Sequence, residues 1–272
     1  MDTLATGKHF KTLARMGYGA RGVVYLMIGG LALLTAVGRG GKTTDSRGAI
    51  LEITHQPFGT ALLAILVIGL LGYSVWRFTQ AIKDTDDHGT SAKALAIRLG
   101  LFASGVTHTL LAFWAVKILI GAGGSQQDKQ SSATENAFLQ SEAGPWIMGA
   151  IGIIFFGVGI AHMFKGWMRR FEKYMDIPSD KKSWACPICR FGLIARGIVW
   201  GIVGGFFIRA SLRASAGEIK GMEEALQAVH DAPYGGVLFI LVAAGLFAFG
   251  IYSVLEAAYR RISTSEPSQS TK

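Results

Sequence analysis

The sequence predicts an all-α membrane protein in which six transmembrane helices form three parallel two-helix repeats with pseudo-threefold symmetry. The first observation is composition: half of the 272 residues are hydrophobic and only 17% are charged, against about 25% charged in a typical soluble domain. The second is a set of six long apolar runs, and the third is one short motif that returns three times.

The apolar runs cover 16–38, 58–76, 99–120, 145–164, 191–208 and 234–255. Each is close to the roughly 17–25 residues that cross a bilayer core as a helix. A soluble protein with six core helices would show amphipathic stripes, whereas a run such as "ALLAILVIGLLGYSVW" is apolar all round. We interpret the first run as a helix rather than a signal peptide, because it is long, lacks a small-residue cleavage site and matches later segments.

The repeats are visible in the odd-numbered helices. "ARMGYGARGVVY" (14–25), "IRLGLFASGVTH" (97–108) and "CRFGLIARGIVW" (189–200) align without gaps. The positions they share are occupied by Arg15, Arg98 and Arg190; by Gly17, Gly100 and Gly192; by Ala20, Ala103 and Ala195; and by Gly22, Gly105 and Gly197. Matches in one order along the chain are typical of tandem repeats.

The even-numbered helices align on Pro57, Pro145 and Pro233. Each proline precedes an aromatic residue, follows an alanine by eight residues and precedes a glycine by twelve. Proline fits the first turn of a helix, and we expect each polar outer loop to hold a short helix, in "SRGAILEI", "TENAFLQS" and "GMEEALQAV". Hairpins that enter and leave on one side are parallel repeats.

The predicted domains follow from this alignment. They are an N-terminal segment 1–13; repeat 1, 14–84, with helices 16–38 and 58–80; repeat 2, 92–173, with helices 98–120 and 145–168; repeat 3, 186–262, with helices 191–210 and 234–260; and a disordered tail, 263–272.

This pattern resembles a family of bacterial membrane proteins, a domain of unknown function built from three tandem two-helix repeats that start with an Arg-x-Gly-x-x-Ala-Arg-Gly-like motif. The resemblance covers about residues 10 to 262 and implies a bacterial inner-membrane protein without an established activity. Repeat 2 departs from the motif, since Ser104 replaces the second arginine and His108 replaces an aromatic residue.

The basic residues predict the orientation. Of 27 Lys and Arg, 19 lie at the termini and in the second and fourth connections, and seven lie in the other three. The positive-inside rule then places both termini in the cytoplasm of a multi-pass protein of the bacterial plasma membrane. The net charge of +9 is explained by flanks that face anionic lipid headgroups, so we expect membrane lipids as partners and no nucleic acid.

Two arginines lie inside apolar runs. Arg21 and Arg196 are each roughly 9 Å deeper than the flanking arginine, at 1.5 Å per residue. They can snorkel back to the headgroups or face the bundle interior, where costly intramembrane charges are often functional. In the second case the aligned positions form a polar vestibule, a ring of Arg21, Ser104 and Arg196 floored by Tyr25, His108 and Trp200.

Three further groups are candidates. Glu256 can pair with either vestibule arginine or lie exposed at the interface. His108 and His162 lie in consecutive apolar helices, where a metal or a proton relay is the alternative to ordinary buried histidines. Cys186 and Cys189 have dithiol or half-zinc spacing, but a structural zinc usually needs four ligands.

These residues favour a non-enzymatic protein that binds a lipid or small anion, or passes a solute, through the vestibule. One alternative is an assembly or scaffold subunit, as a homo-oligomer or with a membrane partner. The other is a thiol redox protein that uses Cys186 and Cys189. The sequence requires no cofactor, and a bound lipid is compatible with it.

Overall fold

The protein is described here by a computed structural model that covers residues 2–121, 141, 143–213 and 222–262, with side chains from residue 9 onward. Within that part the secondary structure is helical. The eight α-helices are α1 (Asp2–Ala36), α2 (Ser46–Thr54), α3 (Gly59–Lys83), α4 (Ala92–Leu119), α5 (Gly144–Trp167), α6 (Ser179–Arg213), α7 (Met222–His230) and α8 (Gly235–Tyr259).

Six of these helices are long and apolar enough to cross a membrane. They are α1, α3, α4, α5, α6 and α8, two in each repeat. The predicted fold class is therefore confirmed, and the chain is a multi-pass membrane protein.

The helix bounds differ from the expected ones mainly at two starts. Helix α1 begins at Asp2 rather than at residue 16, so the segment 1–13 is mostly helical, and α6 begins at Ser179 rather than at residue 191. Apolar run length marks only the part of a helix that lies in hydrocarbon, and both helices continue beyond it through polar turns. Cys186 and Cys189 consequently lie inside α6, with Pro187 between them.

The prolines of the returning helices also differ between repeats. Pro145 occupies the first turn of α5 as expected. Helices α3 and α8 instead begin two residues after their prolines, and Phe58 and Tyr234 cap them in the left-handed region, with φ of 62° and 61°. The three aromatic residues after the prolines, Phe58, Trp146 and Tyr234, are 82–88% exposed, as expected for an interfacial aromatic belt.

The loops between α1 and α3 and between α6 and α8 contain the short helices α2 and α7. Asp45 caps α2, and its Oδ1 accepts from the amides of Arg47 and Gly48 at 2.9 Å. Ala49 and Ala225, the aligned alanines of repeats 1 and 3, are fully buried. The third expected helix, "TENAFLQS", apart from its last residue Ser141, and the tail 263–272 lie outside the described residues.

Neighbouring repeats pack in a cyclic order. The second helix of each repeat lies against the first helix of the next, as α3 with α4, α5 with α6, and α8 with α1. The aligned glycines Gly22, Gly105 and Gly197 lie at these contacts, where an added Cβ would come within 2.6–2.8 Å of the facing helix. Small residues at such positions let helix backbones approach closely in lipid.

Within repeats 1 and 3 the two long helices also pack against each other. A Cβ on Gly17 would lie 2.5 Å from the backbone nitrogen of Tyr73, and a Cβ on Gly192 would lie 2.4 Å from that of Phe249. The next aligned pair is equally tight, since Ala20 lies against Gly69 and Ala195 against Gly245.

Repeat 2 remains open. Helices α4 and α5 make almost no contact with each other, and a Cβ on Gly100 or Gly157 would meet nothing within 4 Å. We call the gap between them the second-repeat groove; its walls carry Gly100 and Ala103 on α4 and Gly157 and Ala161 on α5, all exposed. The six helices therefore form an open ring in the order α4, α3, α1, α8, α6, α5.

Both ends of the described chain meet at one end of the bundle, which we call the terminal end. Arg15 donates to the carbonyl oxygens of Ala257 and Ala258. At the same end Asp84 follows α3 with φ of 50°, and its carboxylate accepts from the amides of His88 and Gly89 at 2.9 and 2.6 Å.

Candidate functional site

Arg21 points into the bundle and is only 3% exposed. Its guanidinium forms an ion pair with Glu256, donates to the hydroxyl of Tyr73, and donates to Ser253 Oγ at 3.1 Å. It also lies 5.1 Å from the ring centre of Phe249. The cation is thus held inside the bundle by polar groups from α3 and α8.

Glu256 is the centre of a buried charge network. Its Oε1 accepts from Arg260 at 3.0 Å, and Arg260 also donates to Asp86 at 2.9 Å. Burial lowers the pKa of Arg260, but nearby Tyr18, Glu256 and Asp86 outweigh it, so its pKa lies above the ordinary value. Two arginines and two carboxylates therefore balance in this network.

Arg196 is held in a different way. Its Nε donates to the hydroxyl of Tyr25 at 3.1 Å, and its Nη1 lies 3.0 Å from His162 Nε2. His162 Nδ1 lies 2.9 Å from the Val158 carbonyl, so Nδ1 carries the proton and Nε2 accepts from the arginine. The guanidinium carbon lies 4.4 Å from the ring centre of Phe249, which is therefore shared by Arg21 and Arg196.

Besides Arg260, two cations of the site were not predicted from the sequence. Arg77 donates to the hydroxyl of Tyr73 and to Gln80 Oε1, and Lys165 Nζ donates to the hydroxyl of Tyr252 at 3.0 Å. Both follow their repeat proline by twenty residues. The third residue at that offset is Ser253, which binds Arg21, so the proline alignment contained a signal for these positions.

The charges of the site do not balance. In the described part of the chain, Arg77, Lys165 and Arg196 have no carboxylate within ion-pair distance, unlike Arg21 and Arg260. Their partners are tyrosine hydroxyls, a glutamine oxygen and a histidine nitrogen. Arg77 Nε is buried without a partner. The site is therefore cationic overall.

Of the other predicted vestibule residues, Tyr25 and Trp200 lie beside Arg196, and His108 lies beside Tyr73. His108 Nδ1 is 2.8 Å from the Ser104 carbonyl, and the His108 ring lies 4.6 Å from the ring of Tyr73. The ring centres of Trp200 and Phe155 are 5.0 Å apart. The buried indole nitrogen of Trp200 has no hydrogen-bond partner among the described residues. Tyr25 is 5% exposed, whereas Ser104, His108 and Trp200 are half-buried.

The candidate metal and thiol residues form no comparable site. Among the described residues, no three His, Cys, Asp or Glu side chains are grouped to hold a metal ion. His108 and His162 lie on α4 and α5, the two helices that are apart. Cys186 and Cys189 are free thiols, 1% and 0% exposed.

Two clefts lie at the terminal end, outside the vestibule. The larger has a volume of about 460 Å³ and is lined by Lys11, Arg15, Asp176 and residues 258–262. The smaller, of about 240 Å³, includes Asp86 and Tyr174. Arg77, Lys165 and Arg196 are half-buried and line neither cleft. Lys165 and the Arg196 partner His162 lie on α5, one wall of the second-repeat groove.

The fold and site define a class of multi-pass membrane protein, three tandem helical hairpins around a cationic cluster near one end of the bundle. The chain belongs to the family described as Domain of Unknown Function (DUF1206), whose model matches residues 16–84, 99–169 and 191–260.

One relative is similar over nearly the whole chain. It is "Uncharacterized protein YxxB" of Bacillus subtilis (strain 168), 32% identical over 256 residues, which are 93% of this chain and 92% of the relative. No solved structure matches the chain.

Proposed function

We propose that this protein is a non-enzymatic component of the bacterial inner membrane that binds a small anion or an anionic lipid headgroup in the vestibule. One observation carries the proposal: Arg77, Lys165 and Arg196 are half-buried inside the bundle, and their partners are all uncharged. A ligand that brings negative charge would complete the site.

The energetic argument is one of desolvation. A cation in a membrane helix is costly and is normally paired. Hydrogen bonds to neutral groups compensate that cost only in part, because they leave the net charge in a medium of low dielectric constant. Three like charges near one another increase the cost, and an anion with more than one oxygen acceptor relieves it through charge-assisted hydrogen bonds.

The proposed orientation has both termini in the cytoplasm. Its support is the excess of basic residues in the connections at the terminal end, 19 against seven on the other side, which is the bias that orients bacterial membrane proteins. The vestibule then opens toward the cytoplasmic leaflet, which is where anionic headgroups attract basic groups.

The test is native mass spectrometry of gently extracted protein. We expect the wild type to keep a phosphate-containing or other anionic adduct, and the double variant Lys165→Gln/Arg196→Gln to lose most of it. The matched control, Lys42→Gln/Arg47→Gln, removes one cation before α2 and one within α2 and keeps the adduct. Equal adducts in wild type and vestibule variant would overturn the proposal.

The same spectra examine the scaffold alternative. The most apolar windows of α4 and α5 are only 17% and 11% buried, so these helices present the largest free surface to lipid or to another protein. A stable oligomer that carries no small anionic adduct would favour the scaffold function. The thiol alternative has no comparable support, because both cysteines are buried.

A further inference from the structure

We propose that the ligand is an anionic lipid with a phosphate headgroup, which enters sideways from the bilayer through the second-repeat groove. Its phosphate binds Lys165 and Arg196, and one acyl chain lies between α4 and α5. This inference rests on the proposed anion site and adds the ligand class and its route.

The groove lies where repeat 2 lacks the helix contact of the other two repeats. Repeat 2 nevertheless keeps the small residues that make this contact in repeats 1 and 3. In repeats 1 and 3 the backbone of Tyr73 or Phe249 lies directly against the aligned glycine of the first helix, Gly17 or Gly192. The aligned residue in repeat 2 is Ala161, which is exposed. Repeat 2 therefore lacks the close contact that joins the two long helices of the other repeats, and the gap is open to lipid.

Lys165 and Arg196 have N–H groups that are free to donate hydrogen bonds to a ligand. Within the described part of the chain, Lys165 Nζ donates one hydrogen bond, to Tyr252. An ammonium group can donate three. Arg196 uses Nε and Nη1 toward Tyr25 and His162, which leaves Nη2 for a ligand. His162 and Lys165 lie on α5 itself, so these donors are continuous with one wall of the groove.

The depth of Lys165 fits a headgroup. Lys165 is two residues from the end of α5 at Trp167, or about 3 Å along the axis, so its amine lies near the level of lipid phosphates. Farther from this end, the groove walls carry the small residues Gly100, Ala103, Gly157 and Ala161. Cations at the end of an apolar groove are complementary to the headgroup and the acyl chain of a lipid. A free anion needs only the cations.

The experiment measures two probes on delipidated protein in detergent. One is phosphatidylglycerol, titrated and counted as bound molecules by native mass spectrometry; the other is radiolabelled inorganic phosphate in equilibrium dialysis. Gly157→Trp fills the groove. The control Ile68→Trp adds the same ring at a similar depth on α3, at a side chain that is 50% exposed.

The inference predicts one phosphatidylglycerol per chain, with affinity reduced about tenfold or more by Gly157→Trp and by Lys165→Gln/Arg196→Gln, and unchanged by Ile68→Trp. Inorganic phosphate that binds equally to wild type and Gly157→Trp, without lipid selectivity, would overturn the lipid inference and leave the anion site standing. Binding of both probes that is unaffected by Lys165→Gln/Arg196→Gln would overturn both proposals. A dimer that forms in the wild type but not in Gly157→Trp, without bound lipid, would assign the groove to a second copy and also overturn the inference.

Discussion

Glu256→Gln should destabilise the protein strongly, because it leaves two buried cations without their shared carboxylate. The side chains of Arg21 and Glu256 are 4% and 2% exposed, and Arg260, the second partner, is 4% exposed. Removing one member of a buried ion pair typically costs about 3–5 kcal/mol, whereas a well-packed apolar pair is often tolerated. We therefore expect a loss of about 3–5 kcal/mol in Glu256→Gln and partial recovery in Arg21→Leu/Glu256→Leu.

The assay is equilibrium unfolding by SDS in mixed micelles, analysed as a double-mutant cycle over Arg21 and Glu256. The control is Glu52→Gln, which breaks the exposed ion pair with Lys42, where the side chains are 53% and 27% exposed. Exposed pairs contribute about 0–1 kcal/mol. If Glu256→Gln costs no more than Glu52→Gln, the buried network is not the stabilising centre of the bundle.

Three further predictions concern packing, pH and the thiols. Gly192→Val should destabilise in the same assay while Gly157→Ala is tolerated, because a Cβ meets backbone 2.4 Å away at the first and open space at the second; equal effects would contradict the open groove. Burial raises the pKa of Asp84, but two amide hydrogen bonds outweigh it and hold the pKa below the usual value. The stability that Asp84 adds over Asp84→Asn should therefore be full above about pH 4 and be lost as the pH falls through the lowered pKa; a pH-independent difference would contradict it. Because Cys186 and Cys189 are buried, they should resist alkylation until the protein is denatured, as measured by intact mass. Rapid labelling of the folded protein would contradict this and favour the thiol hypothesis.

The transmembrane helices and repeats could be predicted because their causes are local. A helix that crosses a bilayer must be apolar over its whole circumference for about twenty residues, and that condition is readable in every run from 16 to 255. The aligned glycines also had a readable cause, since Gly22, Gly105 and Gly197 let three equivalent helix pairs approach.

The site was less predictable because it depends on which helices meet. The sequence left Arg21 and Arg196 with two orientations, and only packing against α8 places both beside Phe249. Arg77 and Lys165 were counted among the flanking charges, since a cation near a helix end has the same sequence pattern whether it points to lipid or inward. The open second repeat was indicated only by Ser104 and His108, which depart from the motif without showing that α4 and α5 separate.

The most direct test of this account is the distance between α4 and α5 in a phosphatidylglycerol bilayer. Spin labels at Leu99→Cys on α4 and Ile160→Cys on α5, two exposed side chains outside the groove-wall residues, in a chain with Cys186→Ala and Cys189→Ala, report it by pulsed electron paramagnetic resonance. The account predicts a separation greater than that of packed helices, whose axes lie about 8–10 Å apart. A single short distance, as for two helices in contact, would show that repeat 2 closes as repeats 1 and 3 do, and would leave no groove for a lipid.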